Sequence, residues 1–147
     1  MLLSSFVFAA QSNRYARVCL EEAVRYARGR KTFGKKLIEH QVIRHKVAEM
    51  SRHIESTHAL IEQVAYQMKA GVDDKVCSGM IAMMKVAATK TMDLCAREAT
   101  QIIGGAACVR GGPGEKVERL YREVRQQAIA GGSEEILMDL AMRQAKL

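Results

Sequence analysis

From Ile43 to Met68 the chain repeats in alternating steps of four and three: Ile43, Val47, Met50, Ile54, Thr57, Ile61, Val64 and Met68. A strand alternates with period two, so this spacing excludes a strand and requires a long helix with a narrow apolar stripe. Such a stripe is buried only against other helices crossing at a shallow angle, as in a bundle. The helix is predicted from about His40 to Lys69, with Gly71 closing it.

The rest of the chain supplies the partners. With one Pro and no Trp among 147 residues, and abundant Ala, Met, Glu, Lys and Arg, little of it favours a sheet. A first helix is predicted over Phe6–Arg28. Phe8, Tyr15, Val18, Cys19, Ala23 and Tyr26 share one face, and Arg14, Arg17, Glu21, Glu22 and Arg25 lie largely elsewhere. Asp73 and Asp74 can cap a third helix reaching Ile103. Its stripe is Met80, Met84, Ala87, Thr91, Leu94 and Ile102, the methionines acting as core filler, and Ala82, Ala87, Ala88 and Ala96 permit close approach. A fourth helix, Glu115 to Ala128, turns Val117, Leu120, Tyr121 and Val124 inward. Ser133 is the N-cap of a last helix that buries Ile136, Leu137 and Leu140. The predicted fold is all-α: an antiparallel up-and-down four-helix bundle with a short additional C-terminal helix, one domain over residues 1–147.

Three glycine breaks punctuate the pattern, at 29–34, 104–114 and 131–132. Two long helices returning on one another bring the first and second breaks to the same end. The first lies within Arg28-Gly29-Arg30-Lys31-Thr32-Phe33-Gly34-Lys35-Lys36, five cations and a hydroxyl in nine residues. Gly29 and Gly34-Lys35 have the G-x-x-x-x-G-K spacing of a P-loop, but Lys36 replaces the Mg²⁺-binding Ser or Thr and no apolar strand precedes it. Two readings remain: cations answering a helix dipole, or donors gathered for a phosphorylated ligand.

Other classes are disfavoured. The net charge is +7, yet acidic residues interleave with the cations and aromatics make up only 5%, which argues against nucleic acid. His45, His53 and His58 lack the spacing of a metal site, and Cys19, Cys77, Cys95 and Cys108 form no C-x-x-C pair, so buried free thiols are expected. The apolar start, Met1 to Ala10, has no basic n-region and does not read as a signal peptide; no segment has the length of a membrane span.

Five motifs in order carry a family resemblance: Arg30-Lys31-Thr32-Phe33-Gly34; Glu39-His40-Gln41; Gln101-Ile102-Ile103-Gly104-Gly105; Glu118-Arg119-Leu120-Tyr121-Arg122-Glu123; and Ile129-Ala130-Gly131-Gly132-Ser133-Glu134-Glu135-Ile136. From about Ala16 to Leu147 the chain resembles the C-terminal helical domain of the acyl-CoA dehydrogenases, in the style of their bacterial and fungal branch. The resemblance implies FAD-dependent α,β-dehydrogenation of an acyl-CoA thioester, with an electron-transferring flavoprotein taking the electrons. It also implies a homodimer or homotetramer, in a bacterial cytoplasm or a mitochondrion. By motif position Arg30, Thr32, Phe33, His40, Gln41, Gln101, Gly104 and Gly105 would meet the FAD of a neighbouring subunit, Arg30, Thr32 and Phe33 at its pyrophosphate and adenosine half and Gln41, with His40 beside it, near the same half. Ser133 and Glu135 would lie near the FAD of their own subunit.

The departures concern catalysis. The family's base position is occupied by Gly131, and the position used by some branches falls near Ser4 and Ser5, where the accompanying Arg is also absent. The second glycine motif ends Ala107-Cys108 where Gly and an aromatic are common. The resemblance covers neither the amino-terminal helical domain nor the central β-domain. A chain of these 147 residues is therefore expected not to catalyse alone, as a truncated product, a separate subunit or a piece beginning mid-protein, with Met1 to Phe8 a substitute start. The alternative is a free-standing helical module that oligomerises without flavin.

Overall fold

The computed structural model describes residues 2–145; Met1, Lys146 and Leu147, and with them the ends of the 1–147 domain assignment, lie outside the described residues. Five helices follow in order: α1 (Leu2–Gly29), α2 (Gln41–Lys69), α3 (Asp74–Ile103), α4 (Glu115–Ile129) and α5 (Glu134–Ala145). Helix α3 is central and packs against all four others, most extensively against α1. The all-α reading holds, with one addition between α1 and α2.

That addition is a minimal antiparallel hairpin of β1 (Lys31–Thr32) and β2 (Lys35–Lys36), where a loop was expected. Phe33 and Gly34 turn it with φ of 50° and 80°, the two positive values that suit the twist of a two-residue hairpin turn. A 3₁₀ turn (Leu37–Glu39) follows, and His40 stands outside α2 as its N-cap, one residue later than predicted.

Helix α1 starts earlier than Phe6 because a distant contact holds its first turns: Ser5 Oγ donates to the carbonyl of Gly131 at 3.0 Å. The α2 seam packs as its spacing requires. Ile43, Met50, Ile54, Thr57, Ile61 and Val64 are buried, while Val47 is half-buried and Met68, in the last turn, is exposed. Buried Thr57 shares a 2.8 Å hydrogen bond with Thr91 of α3, which satisfies both hydroxyls inside the seam. The Asp73 side chain caps α3 by accepting from the Lys75 amide at 2.9 Å; the side chain of Asp74, the second suggested cap, lies outside the described residues.

Two inward assignments are corrected. Helix α4 buries Val117, Leu120, Val124 and Ala128, and Tyr121, one position around the helix from Leu120, is 46% exposed. Helix α5 packs Leu137 and Ala141 on Ala82 and Val86 of α3, which turns Ile136 outward at 64% exposure. Glu22, expected on the polar face of α1, is buried.

The cysteines divide three to one. Cys19, Cys77 and Cys95 are buried thiols, but Cys108, just past the second break, is exposed. Burial pushes both Cys19 and Cys95 up to about 12, aided by the proximity of each to a carboxylate and of Cys19 to Cys95, so neither forms the reactive thiolate near neutrality. A thiol reagent applied to the native protein near neutral pH is expected to modify Cys108 promptly and Cys19 and Cys95 only on unfolding. Peptide mapping that finds Cys19 or Cys95 labelled as fast as Cys108 would contradict this packing.

Candidate functional site

The hairpin end is built from backbone closure. The Arg30 amide donates to Tyr26 O at 2.9 Å, continuing the last turn of α1, and the Leu37 amide donates to Arg30 O at 2.8 Å, closing the hairpin base. Within it Thr32 Oγ1 and His40 Nε2 share a 3.0 Å hydrogen bond. The His40 ring meets Phe33 edge-on, with centroids 6.3 Å apart. Thr32, Phe33 and His40 are thus one unit, and exposed Gln41 opens α2 beside it. Phe33 is 97% exposed at a positive φ, a backbone state unfavourable for an aromatic residue and one that the flanking hairpin maintains.

Charge is unevenly compensated. Arg14, Arg17, Arg25, Lys46, Arg52, Lys116, Arg119 and Arg122 all pair with carboxylates. Among the described residues no ion pair involves Arg28, Arg30, Lys31, Lys35 or Lys36, all of them exposed. The nearby Glu39 instead accepts from the Lys36 backbone amide at 3.2 Å. A cationic surface without internal partners is suited to an external anion.

The second break lies at the same end. Helix α3 ends at Gly104, φ 71°, with Gln101 exposed in its last turn. A Cβ at Gly104 or Gly105 would meet nothing within 4 Å, so a ligand can approach this backbone directly. A cavity of about 260 Å³ lined by Arg25, Tyr26, Gly29, Arg30 and Pro113 joins the two breaks. Gly114 is fixed by contact, since a Cβ there would stand 2.4 Å from Ala106 O.

Glu22 braces this end from below. Its carboxylate accepts from Lys116 at 2.8 Å and from Arg25, tying α1 to α4. Burial opposes its ionisation, but the hydrogen bonds and charges of Lys116 and Arg25 prevail and hold its carboxyl below the usual range.

Ser133 and Glu135 stand at the other end of α4, a 15-residue helix that spans about 22 Å. The Ser133 carbonyl receives the Leu137 amide at 3.0 Å, the bond of an N-cap. Glu135 is held below the usual carboxylate range by its own backbone amide, then by the Ser133 side chain, with smaller help from Lys90 and Arg125. The two positions where the resemblance sought a base, Gly131 and the Ser4–Ser5 turn, meet here through the Ser5–Gly131 hydrogen bond. A Cβ on Gly131 would lie 2.8 Å from the Phe8 ring.

The ten sequence-derived candidates therefore form two groups. Arg30, Thr32, Phe33, His40, Gln41, Gln101, Gly104 and Gly105 share the hairpin end; Ser133 and Glu135 do not join them. Sequence reading missed Glu22 and Lys85. Lys85 is fully buried, and its signal was present: Ile81, Ala82, Ala88 and Thr89, three and four residues away, are all buried too.

The family model described as "Acyl-CoA dehydrogenase, C-terminal domain" matches residues 4–146. The chain is 46% identical over 154 residues to an acyl-CoA dehydrogenase, AFT10-1, of Alternaria alternata, covering 98% of this chain and 36% of that protein. It is 31% identical to the caffeyl-CoA reductase-Etf complex subunit CarC of Acetobacterium woodii, covering 87% of this chain and 32% of that one. The crystal structure of acyl-CoA dehydrogenase from Geobacillus kaustophilus superposes with a TM-score of 0.90 at 26% identity, covering 97% of this chain and 36% of its own. The chain thus spans about a third of the length of these relatives.

The Glu22 brace makes a stability prediction. Its folded carboxyl sits below the ordinary 4.5, so its contribution is present above pH 4.5 and is lost as pH falls through the folded value. Glu22→Gln is expected to cost about 1.5–3 kcal/mol at neutral pH, with the gap from wild type narrowing below pH 4.5. Urea unfolding across pH measures it; a gap unchanged from about pH 7 to pH 3 would remove Glu22 from this role.

Proposed function

The chain belongs to the acyl-CoA dehydrogenase C-terminal domain family, and on that footing we propose that residues 1–147 are one domain, the FAD-contacting and subunit-assembling part of an acyl-CoA dehydrogenase. The observation that carries the reading is the cation group Arg28, Arg30, Lys31, Lys35 and Lys36, for which no ion pair is found among the described residues, set at the same end as the open Gly104–Gly105 backbone. These residues fit the pyrophosphate half of FAD. The Arg30 guanidinium offers a fork to phosphate oxygens, Thr32 a hydroxyl and Gln101 an amide, and the two glycines let main-chain amides approach.

Helix α4, about 22 Å long, lies between this end and Ser133–Glu135, and that placement at opposite ends supports a flavin site shared by two copies. One copy offers its hairpin, while Ser133 and Glu135 of the other serve the flavin end. Bound there, FAD supplies the hydride acceptor for α,β-dehydrogenation of an acyl-CoA thioester, with an electron-transferring flavoprotein as the onward acceptor. This chain's own residues bind and orient; they do not abstract the proton. Neither Gly131 nor Ser5 is a carboxylate, and Phe8 occupies the space a side chain at 131 would enter. Loss of a positioned base alone costs about 10²–10⁴ in rate, so the chain by itself is expected not to dehydrogenate.

The test is to purify the protein with added FAD, measure the retained yellow absorbance and determine the mass by light scattering. A dimer or tetramer holding flavin is expected, with Arg30→Ala and Gln101→Ala each weakening FAD binding about 10-fold or more. Added acyl-CoA should leave the bound flavin oxidised. Bleaching by acyl-CoA would restore a catalytic role to this chain. A well-folded oligomer without flavin would replace the proposal with an assembly module, and unchanged binding in both variants would sink the residue assignments.

A further inference from the structure

Lys85 is the largest side chain among the described residues with no solvent exposure, and nothing in the flavin reading uses it. Its Nζ donates to the carbonyl of Ala128 at 2.7 Å and to that of Gly132 at 2.9 Å. Ala128 lies in the last turn of α4, where carbonyls have no partner within the helix and carry its negative dipole end. Gly132 lies beyond the break, where Gly131 and Gly132 both adopt left-handed φ, 72° and 113°. A single ammonium therefore grips both sides of the α4–α5 turn. One helical turn further along α3, Thr89 Oγ1 donates to Glu134 Oε1 at 2.7 Å, fixing the first turn of α5 to the same face.

Burying an ammonium is costly unless acceptors replace water, and burial does pull the Lys85 pKa down, against the charges of Glu134 and Glu135. Two main-chain acceptors and two nearby carboxylates offset that cost only while the turn keeps its shape. The residues so placed, Gly131 to Glu135, include both members of the second candidate group.

We propose that Lys85 is the positioning residue of this group: acting through the carbonyls of Ala128 and Gly132, it sets the turn that presents Ser133 and Glu135. Its geometry stands without a ligand; the role toward the flavin rests on the function proposed above. Lys85→Met keeps the apolar stem and removes the donors, and Lys85→Gln is a second variant that retains a donor if the first fails to fold.

Amide hydrogen exchange in the full chain gives the ligand-free readout. Amides 130–135 are expected to exchange at least about 10-fold faster than in wild type, since even one of the two lost charge-assisted hydrogen bonds accounts for that factor, while α1 and α2 amides change little. Unchanged exchange in the turn, or equal acceleration across all helices, would overturn the proposal. Flavin binding gives the second readout. If wild type retains FAD, the Lys85 variant should bind it more weakly by a similar factor at a temperature where it is fully folded, and equal affinity would overturn the positioning role. If wild type retains none, the function proposed above fails, and the exchange pattern still decides for or against Lys85.

Discussion

The close approach of α1 to α3 is the constraint on which the rest of the molecule depends. Ala16, Ala23 and Ala27 from α1 share a core cluster with Ala96 and Ala99 from α3, and Ala9 packs with Ala88 further along. Small side chains let two helix backbones come near enough for larger residues on either side to interlock. That contact makes α3 the axis. Helix α2 closes one flank with its four-and-three seam, α4 and α5 close the others, and the two ends of the bundle are defined by where α1 and α3 stop. A larger residue anywhere along this line would separate the helices and misalign both candidate groups together.

The two ends then differ in how they treat charge. At the hairpin end, exposed cations have no ion-pair partner among the described residues, and Glu22 ties α1 to α4 nearby. At the opposite end charge is drawn inward: Lys85 sits under a glycine turn, and Glu134 is bound to Thr89. The first arrangement leaves an attraction unspent for something outside the chain. The second uses charge to hold backbone in an uncommon shape. The five cations of the hairpin end contribute much of the net charge of +7.

Periodicity made the helices legible, because burial of one face dictates spacing over tens of residues. The α2 seam and the Asp73 cap were readable to within a residue or two. The hairpin was not, since two-residue strands have no period, and a Phe at positive φ breaks the usual preference for Asn or Gly in such turns. Tyr121 and Ile136 were misread because each adjoins the true stripe by one position, and only packing against α1 or α3 decides between neighbours. Glu22 was placed on the polar face because charge was taken to mean solvent, and Lys85 was passed over although Ile81, Ala82, Ala88 and Thr89 flank it. Their burial depends on partners 94 and 43 residues away, and a local pattern carries no record of those. The eight hairpin-end candidates were placed at one end from helix directions alone, whereas the convergence of Ser5 with Gly131 could be seen only in three dimensions.

That convergence sets a timetable for synthesis. Ser5 and Gly131 are separated by 126 positions, so the first turn of α1 emerges long before its partner exists. At ribosomal rates of about 5–20 residues per second the wait is roughly 6–25 s. Over that interval Ser5 and the neighbouring Phe8 lack the turn they pack against, while the rest of α1 can already close on α2 and α3. Of the contacts that fix α1, the one to the α4–α5 turn is thus the last that synthesis can supply.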